Sequence, residues 1–252
     1  MEEHKLELDL NLQKEKLSRQ ASQELNLKLS PKQLEQFSVY TKLILAWNER
    51  INLTAITDLE QIRVKHFLDS LIFAKKLQEH YPEQRIYLAD LGTGAGFPGI
   101  PLKIVRPELE VVLIDALAKR INFLTEVIET LKLTGIRAYH ARAEDIGKDP
   151  DFRERFDVVT ARAVAELPVL LEYAIPLLKV GGRLLAAKGM EPESELQAAA
   201  KAMQILNCRM EQLDKYSLGQ GADYRAMFSI QKVKPTPAKY PRSAGKPKKN
   251  PL

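Results

Sequence analysis

The sequence predicts an α/β fold built on a mainly parallel sheet, and three observations carry that prediction. From residue 86 to residue 206, short apolar runs of strand length alternate with amphipathic segments of helix length. A glycine-rich turn, Gly92-Thr-Gly94-Ala-Gly96, joins the first run to the helix that follows it. The first two runs each end on an acid, Asp90 and Asp115.

The elements follow in order. Residues 1–29 are polar with scattered leucines. Leu6, Leu8, Leu10 and Leu12 alternate at period two, and Leu17, Leu25 and Leu27 keep no clear helical stripe, so this segment reads as a loosely held helix. Ser30-Pro31 gives a helix start, with Ser as N-cap and Pro at the first position. Leu34, Phe37, Tyr40, Ile44 and Trp47 then mark one apolar face. Thr57-Asp-Leu-Glu60 reads as a capping box for a second helix, and Asp69 to Leu77 as a third. Residues 1–80 thus form a helical cap, and Pro82 ends it. Ile86–Leu91, Val111–Asp115, Ile136–Ala141, Phe156–Thr160 and Gly182–Ala187 are strands separated by helices. Arg209–Tyr216 and Arg225–Val233 follow without a helix between them, which predicts a terminal hairpin and a seven-stranded total. Residues 81–233 make up this sheet domain, and 234–252 a tail rich in Pro and Lys.

The charge is unevenly placed. The net charge is +5, with 38 Lys and Arg against 33 Asp and Glu. Seven of the cations, Lys232, Lys234, Lys239, Arg242, Lys246, Lys248 and Lys249, lie in the last 21 residues with no acid among them. Without those seven, 31 basic residues face 33 acidic ones. A basic tail suits a polyanion such as nucleic acid, and equally a solvated terminus; both readings stay open. As a solvated arm, it could be removed with loss of RNA affinity and little change at a cofactor site. The lone Cys208 forms no internal disulfide or thiolate cage, which fits a reducing cytosol. An acidic opening and the absence of a long apolar run argue against a signal peptide or a membrane span, so a cytoplasmic location is expected.

Asp90-Leu-Gly92-Thr-Gly94-Ala-Gly96 carries the chemistry. Glycines at alternate positions let backbone approach a ligand without Cβ in the way. The spacing is G-x-G-x-G after an acid, where dinucleotide folds use G-x-G-x-x-G. It resembles the first motif of class I methyltransferases, a Rossmann-like fold. That resemblance implies S-adenosylmethionine as cofactor, with Asp90 orienting its ammonium and the loop beneath the sulfonium and ribose. Asp115, twenty-three residues after Gly92, suits a carboxylate accepting the ribose hydroxyls, a role shared with NAD-binding folds. Ala143-Glu144-Asp145 follows the third strand, either as an adenine contact or as a helix N-cap.

Several reactions are disfavoured. Cytosine C5 methylation needs a cysteine nucleophile, and Cys208 lies late in the chain without a companion. The Asn/Asp-Pro-Pro-aromatic signature of exocyclic amine methylation is replaced by Thr160-Ala-Arg162-Ala-Val-Ala-Glu166. Guanine N7 carries a free lone pair at neutral pH and needs no general base, so alignment and charge stabilisation suffice. An arginine and carboxylates without a cysteine are compatible with that target.

Asn48-Glu-Arg-Ile-Asn52-Leu-Thr-Ala-Ile56, His66-Phe-Leu-Asp69-Ser-Leu71, Asp90 to Leu102, Arg142-Ala-Glu144, Phe156 to Ala163, Gly181 to Gly189 and Lys239 to Leu252 together closely resemble the bacterial rRNA small-subunit methyltransferase G family, also called glucose-inhibited division protein B. The resemblance covers residues 34–252. It implies methylation of N7 of a guanine in 16S rRNA of the small ribosomal subunit. It also implies cofactor contacts at Gly92, Phe97, Ala143, Glu144 and Arg162, with Gly94 and Gly96 in the same loop and Arg162 as the catalytic residue. Phe97 could pack on the ligand or plug the core, and Arg162 could instead form a structural salt bridge. His66 and Asp69 share a helical face, as a capping or packing pair does, and no third ligand at metal spacing accompanies them. No metal is expected, and the oligomeric state stays open. Two other readings remain: a class I methyltransferase with another substrate, and a non-catalytic RNA-binding assembly protein.

Overall fold

The computed structural model describes residues 2–82, 84–189, 191–218 and 224–252. Seven strands form one sheet in the order β3-β2-β1-β4-β5-β7-β6. They are β1 (Tyr87–Leu91), β2 (Glu110–Asp115), β3 (Ile136–His140), β4 (Phe156–Arg162), β5 (Leu178–Lys188), β6 (Cys208–Ser217) and β7 (Tyr224–Lys232). β1 to β5 run parallel, and β7 is antiparallel to both neighbours. The terminal hairpin expected from sequence is present, with β7 inserted between β5 and β6. β1 pairs on one side with β2 and on the other with β4. Strand order therefore reverses at β1, and the crevice beyond its C-terminal end is where open α/β sheets bind ligands.

Helices cover both faces. α1 (Glu2–Leu25), α2 (Pro31–Ile51), α4 (Asp69–His80), α5 (Gly99–Val105) and α6 (Ala118–Thr130) pack on one face. There Phe37, Tyr40, Phe73 and Phe123 join Leu88 and Leu113 in a common core. α8 (Leu167–Ala174) and α9 (Pro192–Ile205) cover the other, around Phe156, Leu170 and Phe228. The cap is thus continuous with the core of the sheet. α1 is a full helix and not a loose segment, because Leu10, Leu17 and Ala21 are buried. Their spacing of seven and four makes a narrow stripe that the flanking leucines disguise.

Ser30 caps α2 as predicted, in a complete capping box with Gln33. The next helix starts one residue later than expected. Asp58, not Thr57, accepts the Gln61 amide at the head of α3 (Leu59–Gln61). The chain then continues through a π-helical stretch, Ile62–Leu68, directly into α4. Such widened turns often occur at functional sites, and this one carries His66.

The tail is not a solvated arm. Lys232 is fully buried, ion-paired to Glu154 at 2.7 Å and donating to the carbonyls of Ile175 and Leu178. Tyr240 is buried, and Arg153 donates to the carbonyls of Thr236, Tyr240 and Gly147. Arg242 forks onto Glu172, whose side chain is fully buried. After this strap comes a single helical turn, α10 (Lys246–Lys249).

Candidate functional site

The glycine loop leaves β1 through an intramolecular clasp. Asp90 is fully buried; its Oδ2 accepts from Thr93 Oγ1 at 2.5 Å and Gly99 N at 2.9 Å, and its Oδ1 from Thr160 Oγ1 at 2.9 Å. Burial pushes its carboxyl above the usual range, and those hydrogen bonds oppose the shift. Asp90 was expected to meet a ligand ammonium. In the structure its oxygens accept from the loop and from β4, contacts that shape the turn.

The three motif glycines do different work. Each has positive φ, at +66° for Gly92, +61° for Gly94 and +92° for Gly96. A Cβ on Gly96 would stand 2.5 Å from Tyr40 Oη and from Ile100 Cδ1, so this glycine admits the cap. Tyr40 uses that approach to donate to the Ala95 carbonyl. A Cβ on Gly92 would stand 2.8 Å from Val164 Cγ2 in the loop after β4. A Cβ on Gly94 would meet nothing within 4 Å. Gly94 thus leaves open space where a ligand can lie flush on backbone.

Asp115 borders that space. Its Oδ2 accepts from Gly94 N at 2.9 Å and Arg120 Nη1 at 3.1 Å, and its Oδ1 from Leu117 N at 2.9 Å. A carboxylate oxygen accepts about two hydrogen bonds, so Oδ1 keeps capacity for a hydroxyl. Ala143 follows the adjoining strand end by three residues, since Asp115 pairs with His140 and accepts the Ala141 amide through its carbonyl. The open cradle over Gly94 and the hydroxyl acceptor beside it fit the ribose of a nucleoside cofactor.

Glu144 opens α7 (Ala143–Ile146) and is buried. Its Oε1 accepts from Gly245 N at 2.8 Å, and it hydrogen-bonds the Tyr173 hydroxyl. Burial first, and the Glu144 charge second, push the Tyr173 phenol up to about 12. The Glu144 side chain therefore holds the tail, which leaves its backbone, with that of Ala143, as the part facing the cradle rim.

Arg162 closes β4 beside the loop, one position past the Leu91–Ala161 register. Its Nη1 donates to the Lys65 carbonyl and to Asp69 Oδ2, both at 2.9 Å, and its Nη2 faces His66 Nδ1 at 3.4 Å. Asp69 is fully buried and also accepts from Arg225 Nη1 and Tyr216 Oη, both at 3.0 Å. The salt-bridge reading of Arg162 is the one observed. Its Nε–H and one Nη2–H have no partner among the described residues. Its guanidinium lies 5.1 Å from the centre of the Phe97 ring.

Phe97 is buried and stacks on His66 at 4.4 Å and on Tyr40 at 5.4 Å, so of its two readings the core plug is present. His66 turns Nδ1 to Arg162, and its Nε2 lies 3.1 Å from Thr54 Oγ1. Burial, reinforced by Arg162, pushes the His66 imidazole down to about 3. Cys208 sits at the far end of the sheet, paired with Lys232, and burial pushes its thiol up to about 12. It is no nucleophile. Among the described residues, no group of three or more His, Cys, Asp or Glu could hold a metal, and no helix is long and apolar enough to cross a membrane.

The structure thus brings Gly92, Gly94, Asp115, Ala143 and Arg162 to one edge of the sheet, with Asp90, Gly96, Phe97 and the Glu144 side chain supporting from behind. The sequence did not single out Tyr40, Thr93, Thr160, Tyr216 or Arg225. Tyr40 lay hidden in an apolar stripe, Thr93 is a local neighbour of Asp90 in the glycine loop, and Thr160, Tyr216 and Arg225 are brought near only by the fold.

Comparison with known proteins agrees with this geometry. The crystal structure of TrmN from Thermus thermophilus superposes with a TM-score of 0.50 at 20% identity, over 68% of this chain and 53% of that one, a likeness of fold. The ribosomal RNA small subunit methyltransferase G of Desulfitobacterium hafniense (strain Y51) is 51% identical over 238 residues, covering 94% of this chain and 97% of the relative. That of Streptococcus pneumoniae serotype 19F (strain G54) is 50% identical over 229 residues, covering 91% and 95%. A family model described as rRNA small subunit methyltransferase G matches residues 33–222. The chain belongs to that family, and its fold is the class I S-adenosylmethionine-dependent methyltransferase fold.

Proposed function

We propose that this protein transfers the methyl group of S-adenosylmethionine to N7 of a guanine in 16S rRNA of the small ribosomal subunit, acting in the cytoplasm. The observation that carries the reading is the open space over Gly94 beside Asp115, on the same sheet edge as Arg162. Bound S-adenosylmethionine supplies the electrophilic methyl group. Asp115 Oδ1 accepts from the ribose. The backbone of Ala143 and Glu144 would border the adenine, and Gly94 would admit the ligand, with Gly92 making room for Val164 beside it. The free N–H groups of Arg162 face the methionine carboxylate or the guanine O6 edge.

N7 of guanine needs no proton removed before attack, so the site need not supply a base. His66 stays neutral with its Nδ1 turned to Arg162. The work left to the protein is to align the ring nitrogen with the methyl group, exclude water and stabilise the charge that moves onto the purine. Incubation of the protein and labelled S-adenosylmethionine with 30S subunits and with naked 16S rRNA, followed by mapping of the modified base, tests the reading. Label on N7 of one guanine is the expected result. Label elsewhere, or on neither substrate, overturns it.

A further inference from the structure

We infer that α10 and the flanks of α7 form one rigid phosphate-binding face, and that RNA backbone docks on it beside the cofactor rim. The inference rests on the methyltransferase reading above. Its cations are Lys246, Lys248 and Lys249 on α10, with Arg142 and Lys148 on either side of α7; all five are exposed. None has an ion-pair partner among the described residues. Against them stand the exposed Asp145 and Asp151 and the half-buried Asp149, all on or just after α7. Two contacts hold the groups together. Gly245 N, immediately before α10, donates to Glu144 Oε1, and a Cβ on Gly147 would stand 2.9 Å from Pro241 Cγ.

The face is built and not a loose arm. Arg242, three residues before Gly245, is fixed on the buried Glu172 carboxylate, and its Nη2 also donates to the Asn250 carbonyl beyond α10. Pro247 is buried between the lysines. Side chains on such a strap lose less entropy on binding than those of a flexible tail. Two of the seven tail cations, Lys232 and Arg242, are committed to internal carboxylates, so the polyanion-binding charge is concentrated at the α10 end.

The chemistry favours a sugar–phosphate backbone over a lipid surface. Peripheral membrane helices insert apolar side chains beside their cations. Every exposed large apolar side chain among the described residues lies elsewhere than on α7 or α10. Several separated cations on one rigid face suit successive phosphates along a strand, which position the substrate without reading its sequence.

The test replaces Lys246, Lys248 and Lys249 together by Gln, beside a control in which the exposed Lys28, Lys32 and Lys201 are replaced by Gln. Both variants change net charge equally. For the α10 variant, KM for 30S subunits should rise by about tenfold, and the slope of log affinity against log salt should flatten by about two to three. Cofactor binding by calorimetry should be unchanged, and the control should match wild type. Equal effects in both variants, or an unchanged slope in the α10 variant, overturn the inference. So does binding of wild type to phosphatidylserine vesicles that is lost in the α10 variant while RNA binding persists. If wild type methylates neither substrate, the methyltransferase reading itself has failed, and that outcome is distinct.

Discussion

A single carboxylate oxygen, Asp69 Oδ2, receives both Arg162 at 2.9 Å and Arg225 at 3.0 Å. The contact ties the π-helical stretch before α4 to the ends of β4 and β7. It also explains why His66 and Asp69 stand three residues apart: one faces Nη2 of Arg162 and the other accepts from Nη1. Asp69→Asn removes the negative charge that pairs with two guanidinium groups at a fully buried carboxylate. Unfolding by denaturant should show a loss of about 3–5 kcal/mol. Arg162→Lys keeps the charge but cannot reach the Lys65 carbonyl, Asp69 and His66 together, so about 2 kcal/mol should be lost with it. Methyl transfer should fall in both. An Arg162→Lys protein as stable as wild type would remove Arg162 from the network.

The glycine loop separates ligand approach from packing. Gly94→Ala places a methyl in open space at positive φ, at a cost of about 1 kcal/mol in backbone strain. Its melting temperature should drop slightly while affinity for S-adenosylhomocysteine falls at least about tenfold, because a Cβ stands where the ligand must lie. Gly96→Ala drives the methyl against Tyr40 and Ile100, so its stability should fall by about 2–4 kcal/mol from strain and overpacking together. Calorimetry and thermal unfolding on both variants check this. Equal binding loss and equal stability loss in the two would refute the division.

Removing Pro241 to Leu252 does more than remove cations. It leaves Glu172 buried without its arginine, and it takes the Gly245 amide from Glu144. Stability should fall by about 3–5 kcal/mol. Cofactor affinity should weaken several-fold as α7 loses its brace. Both effects differ from those of a solvated arm, whose removal would leave stability and cofactor binding alone. Arg242→Ala in the full chain should reproduce the stability loss. A truncated protein with wild-type stability and cofactor affinity would show that the strap does not brace the rim.

Much of this was legible in the chain and some was not, for reasons that differ residue by residue. Most strands showed as apolar runs, while the sixth, Cys208–Ser217, is largely polar, and the hairpin followed from two strand candidates without a helix between them. Gly94 and Asp115 could be placed because strand ends and the turn after them are local features. Asp90 was assigned to a ligand because an acid at a strand end gives no sign of how many donors surround it; Thr160, seventy residues on, becomes its neighbour only through the β1–β4 pairing. The tail misled for a similar reason. Its cations were visible, but Glu154 and Glu172, which engage two of them, lie far upstream in sequence.

The last prediction concerns pH, and it follows from His66. The folded imidazole is depressed to about 3 from an ordinary value of 6.5, because it is buried and faces Arg162. Between those values the unfolded chain binds a proton that the folded chain does not. Stability therefore rises with pH through the window and is lost as pH falls from about 6.5 toward 3, by up to about 1.4 kcal/mol per pH unit from this one group. Above about 6.5 the contribution is complete and flat. Denaturant unfolding between pH 7 and pH 4.5 should show this slope, and His66→Gln, which has no proton to take up, should flatten it by about one proton's worth. The same residue bears on the rate. A histidine neutral throughout pH 6–8 cannot impose a titration on catalysis, and guanine N7 asks for no base. Single-turnover methylation of 30S subunits at saturating cofactor should thus be nearly level from pH 6 to 8. A rate climbing tenfold per pH unit would point to a required base and away from N7 as the acceptor.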